Sequence, residues 1–156
     1  MARRRVVVTG LGIVSPVGNS VEEAWQNILA GKSGIAAVTK FDVSTFPVKF
    51  AGEVKNFDIT QYISAKDARR MDDFIHFGLA AGIQAVRDAG LDKENVVDLE
   101  RVGVAIGSGI GGLPLIEATQ LEYAAGGVRK VSPFFVPGSI INMISGNLSI
   151  EFGFKG

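Results

Sequence analysis

The chain has no cysteine, so its 156 residues form no disulfide and offer no thiolate for nucleophilic or redox chemistry. Its one histidine, His76, leaves no multi-histidine metal site. Lys plus Arg and Asp plus Glu number 16 each, so net charge is zero. That removes any global attraction to nucleic acid or to an anionic membrane, and neither partner is expected. No stretch approaches the roughly 18 uninterrupted apolar residues of a membrane span. The basic start, Arg3-Arg4-Arg5 before Val6-Val7-Val8, opens like a secretory signal. Gly10 and Gly12 break the apolar run and no small-residue cleavage site follows, so it is read as a basic tail before a first strand. A cytoplasmic location is expected.

What is present is apolar and glycine-rich. Hydrophobic residues make up 47% of the chain. The length suggests one domain. A domain this small has an unfavourable surface-to-volume ratio for hiding many apolar elements, which hints at a piece of something larger or at an oligomer interface.

The periodicity predicts an α/β chain. Arg5–Thr9 and Val102–Ile106 are short β-branched runs without alternation, the pattern of strands covered on both faces. A helix is predicted from Ser20, boxed by Glu23, with Ala24, Trp25, Ile28 and Leu29 as its apolar face and Gly31 at its end. Val48–Val54 reads as a short strand. A second helix starts at Ser64 with Asp67 as box partner. On it Lys66, Arg69 and Arg70, at i, i+3 and i+4, would share one face. Asp72 and Asp73 suit the first turn of a third helix, about Phe74–Ala89, which is apolar nearly all round and therefore buried. Asp92–Glu100 is a polar connection. After the glycine loop Gly107–Gly112, a helix is predicted over Leu115–Ala125, then a loop over Val128–Pro137. A last helix, Ser139–Phe152, carries Gly146 inside it, which suggests close packing there.

The candidate chemistry is sparse. Gly10-x-Gly12 follows a predicted strand, but Ser15 stands where a dinucleotide fingerprint needs its third glycine, and Pro16 opposes a helix start inside the motif. Gly107-Ser108-Gly109-Ile110-Gly111-Gly112 lacks the Lys-Ser/Thr of a P-loop; alone it reads as a tight structural turn. His76 reads as a satisfied core or interface histidine. Lys66, Arg69 and Arg70, like Arg129 and Lys130, read on periodicity alone as a solvated basic face. Phe134 and Phe135 between prolines are unusual for a loop. They fit either packing against a partner or lining an apolar pocket. No Ser or Thr has an evident general base.

Three segments taken together carry a resemblance. They are Val6-Val7-Val8-Thr9-Gly10-Leu11-Gly12-Ile13-Val14-Ser15-Pro16-Val17-Gly18, Ile106-Gly107-Ser108-Gly109-Ile110-Gly111-Gly112 and Ser132-Pro133-Phe134-Phe135-Val136-Pro137. In this order and spacing the chain resembles the β-ketoacyl-acyl-carrier-protein synthases, and the last two segments resemble the type II branch of these condensing enzymes. The resemblance implies the amino-terminal portion of a thiolase-like layered α/β/α/β/α fold, with residues 1–156 forming part of its first half. It implies acyl transfer to a cysteine, then decarboxylative Claisen condensation with malonyl-acyl carrier protein. By resemblance Ile110 ends the acyl pocket near a homodimer interface and Phe135 lines that pocket from the partner subunit. Lys66, Arg69, Arg70, Arg129 and Lys130 match a basic patch for the acidic acyl carrier protein. No cofactor is implied. No residue here matches the family's nucleophilic cysteine or its two catalytic histidines, so the chain is expected to stop before the nucleophile and to be inactive alone. The alternative is a non-catalytic piece that only binds carrier protein or a dimer partner.

Overall fold

The computed structural model describes residues 3–91, 95 and 98–156. Met1, Ala2 and most of the Asp92–Val97 part of the predicted connection lie outside the described residues. The elements are α1 (Val21–Leu29), β1 (Ile35–Ala37), β2 (Phe50–Gly52), α2 (Ala65–Ala68), α3 (Asp73–Asp88), α4 (Leu113–Gly126), α5 (Phe135–Ser139) and α6 (Met143–Phe152). Short 3-10 turns at Ile59–Gln61, Leu99–Arg101 and Val128–Lys130 join them.

Local sequence explains the helix ends. Ser20 Oγ accepts from Glu23 N at 3.2 Å, and the Glu23 carboxylate reaches back to Asn19 N at 2.7 Å, a capping box shifted by one residue. Ser64 Oγ accepts from Asp67 N at 3.1 Å and starts α2. Gly153, past the end of α6, is left-handed at φ 73°, as helix-terminating glycines often are.

The core is the seam between α3 and α6. Ile75, Leu79 and Ile83 are fully buried and meet Ile144, Leu148, Phe152 and Phe154. Gly78 and Gly82, one turn apart, admit this approach. A Cβ on Gly78 would lie 2.5 Å from Ile144 Cγ2, and one on Gly82 would lie 2.6 Å from Leu148 Cδ2. Burial of α3 is as predicted, since only Asp73, Arg87 and Asp88 on it are exposed. The close packing expected at Gly146 is absent, because a Cβ there would meet nothing nearer than Met143 Sδ, one turn back on the same helix, at 3.9 Å.

Two predicted strands are not strands. Arg5–Thr9 and Val102–Ile106 have no ladder partner among the described residues, where the one sheet is the antiparallel pair β1–β2. Beyond the first stretch, Leu11 N donates to the Asp88 carboxylate at 2.8 Å and Ile13 N to Gln84 Oε1 at 3.2 Å, so α3 holds the backbone. Gly10 and Gly12 permit this contact. A Cβ on either would overlap a carbonyl oxygen of α3, at Ala85 and Ala81 respectively. That close approach, rather than a nucleotide, explains the two glycines. In the second stretch Val102, Val104 and Ile106 pack on the core while Gly103, Ala105 and Gly107 face outward. One face is covered instead of two. Ser145 Oγ satisfies Ile106 N at 3.0 Å. A strand pattern without a neighbouring strand forms no ladder, whatever its propensity. β1 falls within a predicted irregular stretch. The predicted last helix begins only at Met143, as α6, and the loop predicted over Val128–Pro137 holds most of a short helix, α5, that the periodicity did not show.

Apolar side chains remain uncovered. Val6 is 94% exposed and Ile150 76% exposed. Trp25, Ile28 and Leu29, the predicted core face of α1, are also exposed. The 156-residue chain by itself should therefore melt broadly and bind a hydrophobic dye in thermal denaturation. A sharp melt of a dye-free monomer would contradict this.

Candidate functional site

Arg69, Arg70, the end of the glycine loop and the Phe134–Phe135 segment meet around the α2–α3 junction, and one buried carboxylate links the elements that carry them. Asp72 is 8% exposed. It caps its own helix, accepting from Phe74 N at 3.4 Å, and accepts from Leu115 N of α4 at 2.8 Å. The start of α4 needs that acceptor. Its cap residue, Gly112, has no side chain to offer, Pro114 has no N–H, and Leu115 N is one of the helix's unpaired donors. A carboxylate there also opposes the positive end of the helix dipole. Asp72 N in turn donates to Gly138 O of α5 at 3.2 Å. The dipole argument placed Asp72 correctly at the start of α3. Its role toward α4 depends on a contact 43 residues away and had no local signal.

The glycine loop is anchored at one end. Gly112 N donates to Ser139 O at 2.9 Å, and Gly111, at φ 90°, lies so close that a Cβ would be 2.5 Å from the same oxygen. Gly107 and Gly109 have open space around them. Ile110 projects outward, 69% exposed. Phe135 lies half-buried at the start of α5. Ile110 and Phe135 therefore sit on two segments joined through Ser139.

The basic residues do not share one helical face. α2 ends at Ala68, Arg69 is its cap, and Arg70 lies beyond, with its N bonded to Asp67 O at 3.0 Å. Lys66 and Arg69 are exposed. Arg70 turns onto the ring of Phe134, its guanidinium carbon 4.4 Å from the centroid, and stands 3.9 Å from Asp67. Arg69, Arg70, Phe134 and Phe135 help to line a small cavity of about 60 Å³. Arg129 and Lys130 are exposed on the 3-10 turn that precedes Ser132. The stem of Lys130 packs over Gly126, leaving the ammonium to water. Four of the five cations are thus exposed, and Arg70 is tied to the aromatic segment.

His76 has the partners expected of a satisfied histidine. Its Nε2 is 2.9 Å from Ala68 O, which ties α3 to α2, and its Nδ1 is 3.7 Å from the Asp73 carboxylate. A carbonyl oxygen only accepts, so Nε2 carries a proton. A neutral ring would then turn the Nδ1 lone pair toward a carboxylate. Burial pushes the His76 pKa down, but Asp73, the Ala68 carbonyl and the Asp72 charge outweigh it, so the net direction is upward from 6.5. Asp73 is held at about 2, chiefly by the His76 side chain against the cost of burial, with help from Lys40 Nζ at 3.2 Å. Among the described residues no three His, Cys, Asp or Glu side chains gather as a metal ion would require.

Residues 3–156 match the family described as Beta-ketoacyl synthase, N-terminal domain, and the chain belongs to that family. Its relatives make the likeness more particular. It is 58% identical over 156 residues to 3-oxoacyl-[acyl-carrier-protein] synthase 2 of Vibrio cholerae serotype O1, covering all of this chain and 37% of that protein. The synthase 2 of Vibrio harveyi is 58% identical over 158 residues, with the same coverage. The chain spans about 37% of the length of these curated relatives. Among solved structures, the ishigamide ketosynthase/chain length factor superposes with a TM-score of 0.84 at 30% identity, over 97% of this chain and 38% of that one. A ketosynthase bound to a hexaketide, in complex with its type II PKS acyl-carrier protein, gives 0.78 at 26% identity, over 98% of this chain and 41% of that one. The thiolase-like fold class implied by the sequence is that of these ketosynthases, even though the two stretches above form no ladder here.

Two outcomes follow from this geometry. Asp72→Ala should remove hydrogen-exchange protection at Leu115 N and cost the α4 start about 2 kcal/mol, with Asp72→Asn in between. Protection unchanged in both variants would refute the capping role. The His76 imidazole should titrate above 6.5 by NMR, and Asp73→Asn should lower its midpoint. The raised His76 pKa stabilises fully below 6.5 and ceases to do so as pH rises through its folded value. The depressed Asp73 pKa stabilises above 3.8 and is lost as pH falls through about 2. Both contributions are therefore complete only between 3.8 and 6.5.

Proposed function

We propose that residues 1–156 are the amino-terminal part of an elongating 3-oxoacyl-acyl-carrier-protein synthase of the type II class, within the first thiolase-like half and ahead of its nucleophile. The observation that carries this reading is 58% identity over the entire chain to synthases of that name. The whole protein joins an enzyme-bound acyl group to the carbanion equivalent released when malonyl-acyl carrier protein loses carbon dioxide, in fatty acid elongation. It works as a cytoplasmic homodimer.

The residues present do two parts of that work. Lys66, Arg69, Arg70, Arg129 and Lys130 receive the acidic carrier protein. Exposed cations around a neutral chain steer such a partner locally and lose strength with salt. Ile110 and Phe135 bound the acyl chain, Ile110 from one subunit and Phe135 from its partner. The exposure of Ile110 suits a residue that another subunit covers. The acyl-cysteine and the decarboxylation belong to residues beyond this stretch. The alternative is a binding-only piece that meets carrier protein or a dimer partner.

Reading the gene past Gly156 separates the two. A Thr-Ala-Cys-like segment supports the synthase, and a stop codon supports the binding piece. Reversing Lys66, Arg69 and Arg70 to Glu should weaken carrier-protein binding by roughly tenfold or more and flatten its salt dependence. Unchanged binding would remove these residues from the docking surface.

A further inference from the structure

We propose that Arg70 is a positioning residue coupling carrier docking to the seating of the Phe134–Phe135 segment, and so to the acyl pocket. The inference rests on the docking and pocket reading above. Arg70 differs from the cations beside it. Lys66 and Arg69 are exposed and have no ion pair among the described residues, whereas the Arg70 guanidinium lies over Phe134 at 4.4 Å and near Asp67 at 3.9 Å.

Arg70 and Phe134 together form a partition. With Met71 they wall two cavities. One of about 170 Å³ reaches Met143 and Asn147 of α6, and the other of about 60 Å³ reaches Leu115 of α4 and Phe135. The far end of the aromatic segment is fixed by backbone. Gly138 O accepts from Asp72 N, and Gly138 lies so close to Arg70 O that a Cβ would be 2.7 Å away. At the near end, Phe134 is held to the α2–α3 junction by the Arg70 stack. The backbone at Phe134 is bonded to Ser132 and Gly138, but its ring, next to Phe135, is seated by a guanidinium that a docking carboxylate would also claim.

A carboxylate pairing with Arg70 spreads and neutralises its charge, which weakens attraction to the ring face. Docking thus loosens the Phe134 end as the acyl chain arrives, and by reciprocity a firmly seated Phe134 lowers carrier affinity. The change is confined to the residue next to Phe135, so its readout is acyl-chain selectivity as well as docking.

The test uses the complete synthase, with KM for acyl-carrier protein and the ratio of kcat/KM for long over short acyl chains. Arg69→Gln should raise KM and leave the ratio alone. Arg70→Gln should raise KM and shift the ratio by about threefold, the size of one exposed cation–π contact. Phe134→Leu should shift the ratio without touching the charge, and Arg70→Gln added to it should shift the ratio no further. Arg70→Lys should keep KM while moving the ratio, because an ammonium does not stack as a plane. A KM effect of Arg70→Gln with no shift in ratio, or a shift that persists in full on the Phe134→Leu background, overturns the coupling alone. If neither Arg69→Gln nor Arg70→Gln moves KM, carrier docking on this face is overturned and the coupling with it.

Discussion

Asp72 is buried where α2 turns into α3, and the carboxylate has to find donors there because little water reaches it. It finds them on two helices, at Phe74 N and Leu115 N. A charged acceptor in a low-dielectric position forms stronger hydrogen bonds than an exposed one, and leaving it unpaired would be costly. The start of α4 is therefore fixed to the start of α3. Gly112 is fixed with it, then Ser139 through Gly112 N, and Gly138 through Asp72 N. The end of the glycine loop and the aromatic segment hold their relative positions through this one residue.

The rest of the packing depends on small residues at helix contacts. Gly78 and Gly82 let α6 press on α3, and Gly10 and Gly12 let the amino-terminal segment lie against Ala81, Ala85 and Ala89 at the end of the same helix. α3 is the common support, and its near-complete burial follows. The same arrangement leaves Val6–Val8, the outer residues of α1 and Ile150 bare. Exposed apolar surface on this scale marks an interface rather than a finished exterior. It agrees with a chain that spans about 37% of its relatives' length.

Charge is distributed with the same economy. Opposite charges balance over the chain, yet the cations near the aromatic segment differ in their surroundings. Lys66, Arg69, Arg129 and Lys130 are exposed, and Arg70 is shared between Asp67 and Phe134. Just behind them His76 joins α2 to α3 through Ala68 O, and Lys40 and Asp73 complete a surface ion cluster. The basic face is thereby backed by a rigid junction instead of a free helix.

The sequence by itself determined what is local. Capping residues at Ser20, Ser64 and Asp72, and terminating glycines at Gly31 and Gly153, act through neighbours a few residues away, and these boundaries were legible. So was the burial of α3, because its apolar residues occupy every side of the helix. The motif order was legible too, and it pointed to the family that the comparisons show. Tertiary structure alone decided whether Arg5–Thr9 and Val102–Ile106 became strands, since a strand exists through a partner and not through its own residues. It also decided where Arg70 pointed. Three cations at helical spacing share a face only while the helix continues, and α2 ends before Arg69. The bond from Leu115 N to Asp72 and the cation–π contact with Phe134 join residues more than 40 positions apart, and no periodicity in a chain records which distant donor or ring will arrive.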